Sequence, residues 1–128
     1  MVNSVLTEAF ALVLRDLLVA GGWTFELHEA DMEHSPETAI AHLRESGGGG
    51  AGVYVVLADP PIDRIVKATD DAQDIAIEEA WSKGAPTNWP PCPYHPNGHP
   101  LRARAIEGVP TWVCPTAATP VCAVGSLR

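Results

Sequence analysis

A chain of 128 residues with a net charge of −8 is long enough for one domain, or for a small domain with an appended module. Its acidic balance argues against a surface built for nucleic acid. Its apolar fraction of 46% permits a core of moderate size and excludes a disordered chain.

The charge is unevenly distributed. Residues 1–82 carry four basic residues (Arg15, Arg44, Arg64, Lys67) against fifteen acidic ones, whereas 83–128 carry Lys83, Arg102, Arg104 and Arg128 against Glu107 alone. Proline content and potential metal ligands change at the same place. Two units are expected: an acidic α/β domain over 1–82 and a metal-binding β-hairpin module over 83–128.

The apolar run after Ser4 lacks a basic start and is interrupted by Glu8, Arg15 and Asp16. It fits neither a signal peptide nor a membrane span, and no later stretch is long enough, so a soluble, cytoplasmic protein without membrane contact is expected. Val5, Leu6, Ala9, Phe10, Val13, Leu14, Leu17 and Leu18 recur at helical spacing. A helix capped by Ser4 is predicted to run to about Ala20 and to end at Gly21–Gly22. "WTFELHEA" then alternates, with Trp23, Phe25 and Leu27 on one side, as a half-buried strand does.

Ser35 followed by Pro36 reads as the start of a second helix reaching Glu45, with a narrow apolar face of Ala39, Ile40 and Leu43. Gly47–Gly50 stand after this helix and before a strand, the reverse of the order a phosphate cradle requires, and are a connector. "VYVVLA" from Val53 is a covered strand. Strand, helix and strand in this order predict a βαβ unit with parallel strands. That arrangement would put Asp59 and Asp63 at the ligand-favouring end of the sheet, but no His, Ser or Lys partner stands at a matching spacing, and Asp59 reads first as a cap for the next helix.

That further helix is predicted from Pro61 to about Trp81, with Ile62, Ile65, Val66, Thr69, Ala72, Ala76 and Ala80 on one stripe. Asp70, Asp71 and Asp74 lack the spacing of a calcium loop and read as a solvated face. His28, His34 and His42 are scattered, and no role follows for them.

The chemistry concentrates in "WPPCPYHPNGHPL", Trp89–Leu101. Cys92 and His95 are separated by two residues, and His95 and His99 by three; Cys114 follows in "WVCP" and Cys122 later still. Three cysteines in a chain without a secretion signal favour metal binding over a disulfide framework. Thiolate and neutral imidazole are the ligands of structural zinc, and a two-residue gap turns both side chains onto one ion. The flanking prolines reduce the entropy lost on ordering. "LRARAI", the turn "EGVP" and "TWVC" form a hairpin that returns Cys114 to the loop, and "TPVCAVG" can add a third strand.

These features resemble a zinc ribbon, in which a CPxC knuckle leads into a hairpin and a second knuckle closes the site. "WPPCPYHPNGHPL" with "WVCP" also resembles the tail of small uncharacterised proteins of high-GC bacteria, a likeness that implies no activity. The departure from the ribbon lies in "CPTA", where a second CxxC cysteine is missing after Cys114. The expected ligand set is therefore Cys92, His95, His99 and Cys114, with Cys122 as a substitute for one of them. Two thiolates would balance the charge of a buried Zn²⁺.

A catalytic metal needs an open position and a neighbouring base, and the only carboxylate in this half is Glu107, in the hairpin turn. A redox pair of Cys114 and Cys122 lacks CxxC spacing. Arg102 and Arg104 share a strand face but have no interleaved aromatic platform for nucleic acid. Trp89, Tyr94 and Trp112 are expected to pack around the metal loop. The fold expected is α+β: an N-terminal helix, a βαβ unit and a further helix, followed by a zinc-ribbon-like hairpin module. The function expected is a non-enzymatic, zinc-stabilised binding or assembly module acting on a protein partner or on itself. The alternative is a small metal-dependent hydrolase using the C-terminal metal or Asp59 and Asp63.

Overall fold

A computed structural model describes residues 1–31 and 35–128. His34 lies outside the described residues. Helix α1 spans Ser4–Gly21 and buries Leu6, Ala9, Phe10, Val13 and Leu17 along one stripe. Burial of each large apolar side chain in that stripe is worth about 1.5–3 kcal/mol against exposure. The cap is Asn3 rather than Ser4: Asn3 is extended and its Oδ1 accepts the Val5 N–H at 2.8 Å, leaving Ser4 as the first helical residue. The far end closes as expected, with Gly22 in the left-handed region and its N–H donated back to Leu18.

Strands β1 (Phe25–Glu29), β2 (Thr38–Glu45) and β3 (Gly50–Val56) form an antiparallel meander in the order β1-β2-β3. The helix expected over 35–45 and the parallel βαβ unit are thus both corrected. Segment 38–45 also carries a period of two: Ala39, Ala41 and Leu43 are all buried, while Thr38, Ile40 and His42 face outward. Tertiary burial selects that stripe over the helical one. Ser35 does not cap a helix, because its Oγ accepts the Glu37 N–H two residues on, a turn interaction. The connector then settles the strand direction. Glu45 N–H donates to Gly49 O at 2.7 Å and Gly48 takes φ 110°, so a short glycine hairpin joins β2 to β3, and such a hairpin joins only antiparallel strands.

Helix α2, Pro61–Ser82, packs against α1 and β3 and runs without interruption through Asp70, Asp71 and Asp74. Pro60 occupies the cap position and Pro61 the first turn. The Asp59 side chain makes no capping bond; its backbone carbonyl instead accepts from Arg64 at 2.6 Å.

The C-terminal part is all β. β4 (Pro91–Cys92) pairs with β5 (His95–Pro100), and β6 (Arg102–Ile106), β7 (Val109–Cys114) and β8 (Thr119–Ala123) form a second antiparallel meander. The expected turn in "EGVP" is a two-residue hairpin with Glu107 and Gly108 both at positive φ, which matches the twist of the strands it joins. The α+β class is borne out, with a C-terminal β module carrying the cysteines and histidines. Buried residues of both helices, β1–β3 and the tail form one contiguous cluster, in which Trp89, Cys92, Leu101, Trp112 and Cys114 sit beside Phe10 and Leu17. Among the described residues no helix is long and apolar enough to cross a membrane.

Candidate metal centre

Cys92 ends β4, and the Pro93–Tyr94 turn brings His95 directly opposite it in the β4–β5 pair. His95 and His99 lie four apart on β5, an even spacing that puts both imidazoles on one strand face, with ring centroids 4.8 Å apart. Cys114, the last residue of β7, completes the group.

One ligand atom from each of Cys92, His95, His99 and Cys114 falls within 4.8 Å of all the others. His95 Nδ1 lies 3.6 Å from Cys92 Sγ and 3.7 Å from Cys114 Sγ. His99 Nε2 lies 3.1 Å from His95 Nδ1 and 4.0 Å from Cys114 Sγ. A tetrahedral zinc with bonds of about 2.3 Å to sulfur and about 2.0 Å to nitrogen puts S and N about 3.6 Å apart and two nitrogens about 3.3 Å apart. These four separations are close to the edge lengths of such a tetrahedron, and the set could hold a metal ion such as zinc. Both sulfurs are fully buried, His99 is half-buried and His95 is exposed.

Neighbouring groups set the orientation of these donors. His99 Nδ1 lies 3.1 Å from the Pro100 carbonyl; as its donor it leaves Nε2 with a lone pair facing the site. The Cys114 thiol is held below its ordinary range by the Ala117 backbone N–H, assisted by Cys92 and the Thr116 N–H, against the upward pull of burial. Ala117 stands where a ribbon knuckle carries its second cysteine.

The loop is clamped from outside. Gln73, fully buried on α2, donates through Nε2 to Leu101 O at 2.6 Å and to Trp89 O at 3.1 Å, and its Oε1 accepts from Arg102 at 3.1 Å. Leu101 N–H donates to Pro90 O at 2.8 Å, and Asn88 Nδ2 to Pro96 O at 2.9 Å. Both ends of the ligand-bearing segment are thus tied to one helix residue. Trp89 and Trp112 pack edge to face with centroids 5.7 Å apart, as expected of core around the loop, but Tyr94 points to solvent.

The remaining candidate residues are elsewhere. Cys122 is half-buried on β8 opposite Trp112 and outside the cluster, with its thiol raised first by burial and then by Asp16. Asp59 and Asp63 do not join the four residues, and among the described residues no other group of three or more His, Cys, Asp or Glu is arranged to hold a metal. Arg102 is engaged with Gln73 and Asp74 rather than left free on a strand face.

Two residues that organise the site have little outward signal in the sequence. Gln73 lies on the buried α2 stripe with Thr69, Ala72, Ala76 and Ala80, and Asp16 on the α1 stripe with Val13 and Leu17. A polar residue inside an apolar stripe is the cue that marks both. The chain was compared with protein-family models, with curated proteins and with solved structures, and none of the three comparisons gives a match.

Proposed function

We propose that this chain is a non-enzymatic binding or assembly module whose C-terminal β strands are folded around a structural zinc ion. Cys92, His95, His99 and Cys114 would supply four protein ligands. The observation that carries this reading is the near-tetrahedral spacing of four donors, two of them fully buried sulfurs. No carboxylate belongs to that donor set to act as a base on a bound water. Buried sulfur ligands also suit an ion that stabilises a small β module lacking a core of its own. A protein partner or a second copy of the chain is the kind of ligand such a module takes.

Metal analysis of protein purified without oxidant or chelator tests the reading, followed by X-ray absorption at the zinc edge. One zinc per chain with two sulfur and two nitrogen neighbours is expected. A chain that retains no zinc, or a zinc whose fourth neighbour is water oxygen, removes the structural assignment. The second of these outcomes would favour the metal-dependent hydrolase instead.

A further inference from the structure

The same geometry that suits an ion also brings two thiols together. Cys92 Sγ and Cys114 Sγ lie within 4.8 Å of each other, whereas Cys122 stands outside the group, opposite Trp112. A disulfide holds its sulfurs about 2.05 Å apart, so this pair has less than about 3 Å to close. Each cysteine is the last residue of its strand, β4 or β7, and a turn follows it. Rotation about the Cα–Cβ bond, helped by the adjoining turn, covers that gap.

The pair is held by protein contacts as well as by a shared ion. Both cysteines belong to the contiguous core that includes Trp89, Leu101 and Trp112. Gln73 ties Trp89 O and Leu101 O on either side of the ligand-bearing segment, so Cys92 keeps its place when a metal leaves. His95 is the neighbour common to both sulfurs, with Nδ1 3.6 Å from Cys92 Sγ and 3.7 Å from Cys114 Sγ. It is also the exposed member of the four. An outward swing of this one imidazole therefore opens both buried sulfurs to a small solute.

We infer that Cys92 and Cys114 are a redox pair that controls the metal: a peroxide joins them in a disulfide and the zinc is released. This rests on the proposed zinc site and names its regulation. One thiolate attacks a peroxide oxygen, the O–O bond breaks, and a sulfenic acid and hydroxide form. The second thiolate then attacks the sulfenic sulfur and expels its hydroxyl group. In sum, two thiolates, one hydrogen peroxide and two protons give one disulfide and two waters. The sulfurs lose two electrons and the peroxide gains them. Zinc is left with two imidazoles and dissociates. The disulfide keeps β4 tied to β7, while His95 and His99 lose their link to Cys114, so oxidation frees β5 and leaves the core in place.

The test treats the full, zinc-loaded chain with excess hydrogen peroxide while a chromophoric chelator reports free zinc. Wild type and Cys122→Ala are compared, because Cys122 is no part of the donor group. Release at least about tenfold faster than without peroxide is expected in both. Peptide mass spectrometry without reductant should find Cys92 joined to Cys114, and a phosphine reductant should restore zinc uptake. Release that disappears in Cys122→Ala overturns the inference, since Cys122 would then be the reacting partner. Zinc retained under peroxide overturns it too, as does zinc lost to sulfinic acids that the phosphine does not reverse. A chain that holds no zinc yet forms the Cys92–Cys114 bond sustains the redox pair and counts against the structural-zinc reading alone.

Discussion

Trp112 donates its indole N–H to Asp16 Oδ2 at 2.8 Å, joining the middle of the first helix to a strand 96 residues later. Asp16 is fully buried and does more than hold the tryptophan: Oδ2 also accepts the Gly125 N–H at 2.6 Å, and Oδ1 the Leu127 N–H at 3.1 Å. Arg15 adds a charged donor at 2.9 Å. One carboxylate thus fixes both the tryptophan packed against Trp89 and residues 125–127 against α1. Asp16→Ala leaves three buried or half-buried donors without an acceptor. It is expected to destabilise the fold by about 3 kcal/mol, read as a lower urea midpoint at unchanged slope. Asp16→Asn keeps one acceptor oxygen but turns an amide towards a donor, and is expected to recover about half of that loss.

Gln73 has the corresponding role for the ligand-bearing segment. Replacing it with leucine fills the space but strips the Trp89 and Leu101 carbonyls of their buried donor. Groups that orient metal ligands from behind typically change affinity by about 10- to 100-fold when lost, and a zinc affinity lowered within that range is expected for Gln73→Leu. Competition against a chromophoric chelator measures it. Far-UV circular dichroism should be unchanged, because α2 keeps its length.

The legibility of this fold in its sequence follows from how locally each feature is determined. The helices α1 and α2 carry long apolar stripes, and the "EGVP" hairpin carries its turn chemistry in two adjacent residues, so each is readable on its own. The clustering of Cys92, His95, His99 and Cys114 is legible because the first three share one short loop and a hairpin returns the fourth. Segment 38–45 is different. "TAIAHLRE" supports a helical stripe and a strand stripe alike, and only the sheet neighbours on both sides select the strand. A helix over that segment would entail a parallel sheet and with it the special position of Asp59 and Asp63; the strand removes both. Asp16 and Gln73 escaped for another reason. Their partners lie 96 and 28 residues away, beyond anything local spacing encodes.

Cysteine substitutions separate ligand from bystander. Cys92→Ala and Cys114→Ala each remove a buried sulfur from the four-donor group, and either is expected to abolish stoichiometric zinc. Cys122 lies outside the group, so Cys122→Ala should retain one zinc per chain and the wild-type thermal midpoint. Metal analysis of the three variants reads this directly. Full zinc in Cys114→Ala together with loss in Cys122→Ala would show that β8, not the end of β7, supplies the second sulfur.

Asp70 gives the fold a pH dependence that can be worked out in sign. Burial, reinforced by Asp74 and Asp71 and opposed by Arg102, pushes its carboxyl up from 3.8 to about 6. Below the unfolded value both states hold the proton and the group is neutral to stability. Between about pH 4 and pH 6 the folded state binds more protons than the unfolded chain, so this group's contribution to stability falls as pH rises through that window and is at its least favourable above it. Asp70→Asn removes the ionisation. Because the side chain is only partly buried, screening by solvent limits the gain at pH 7 to on the order of 1 kcal/mol. Urea denaturation at pH 7 and at pH 3 checks the prediction, with the variant more stable than wild type at the higher pH and equal to it at the lower. A gain of the same size at both values would show that asparagine acts by packing, and that the Asp70 carboxylate is not the origin of the effect.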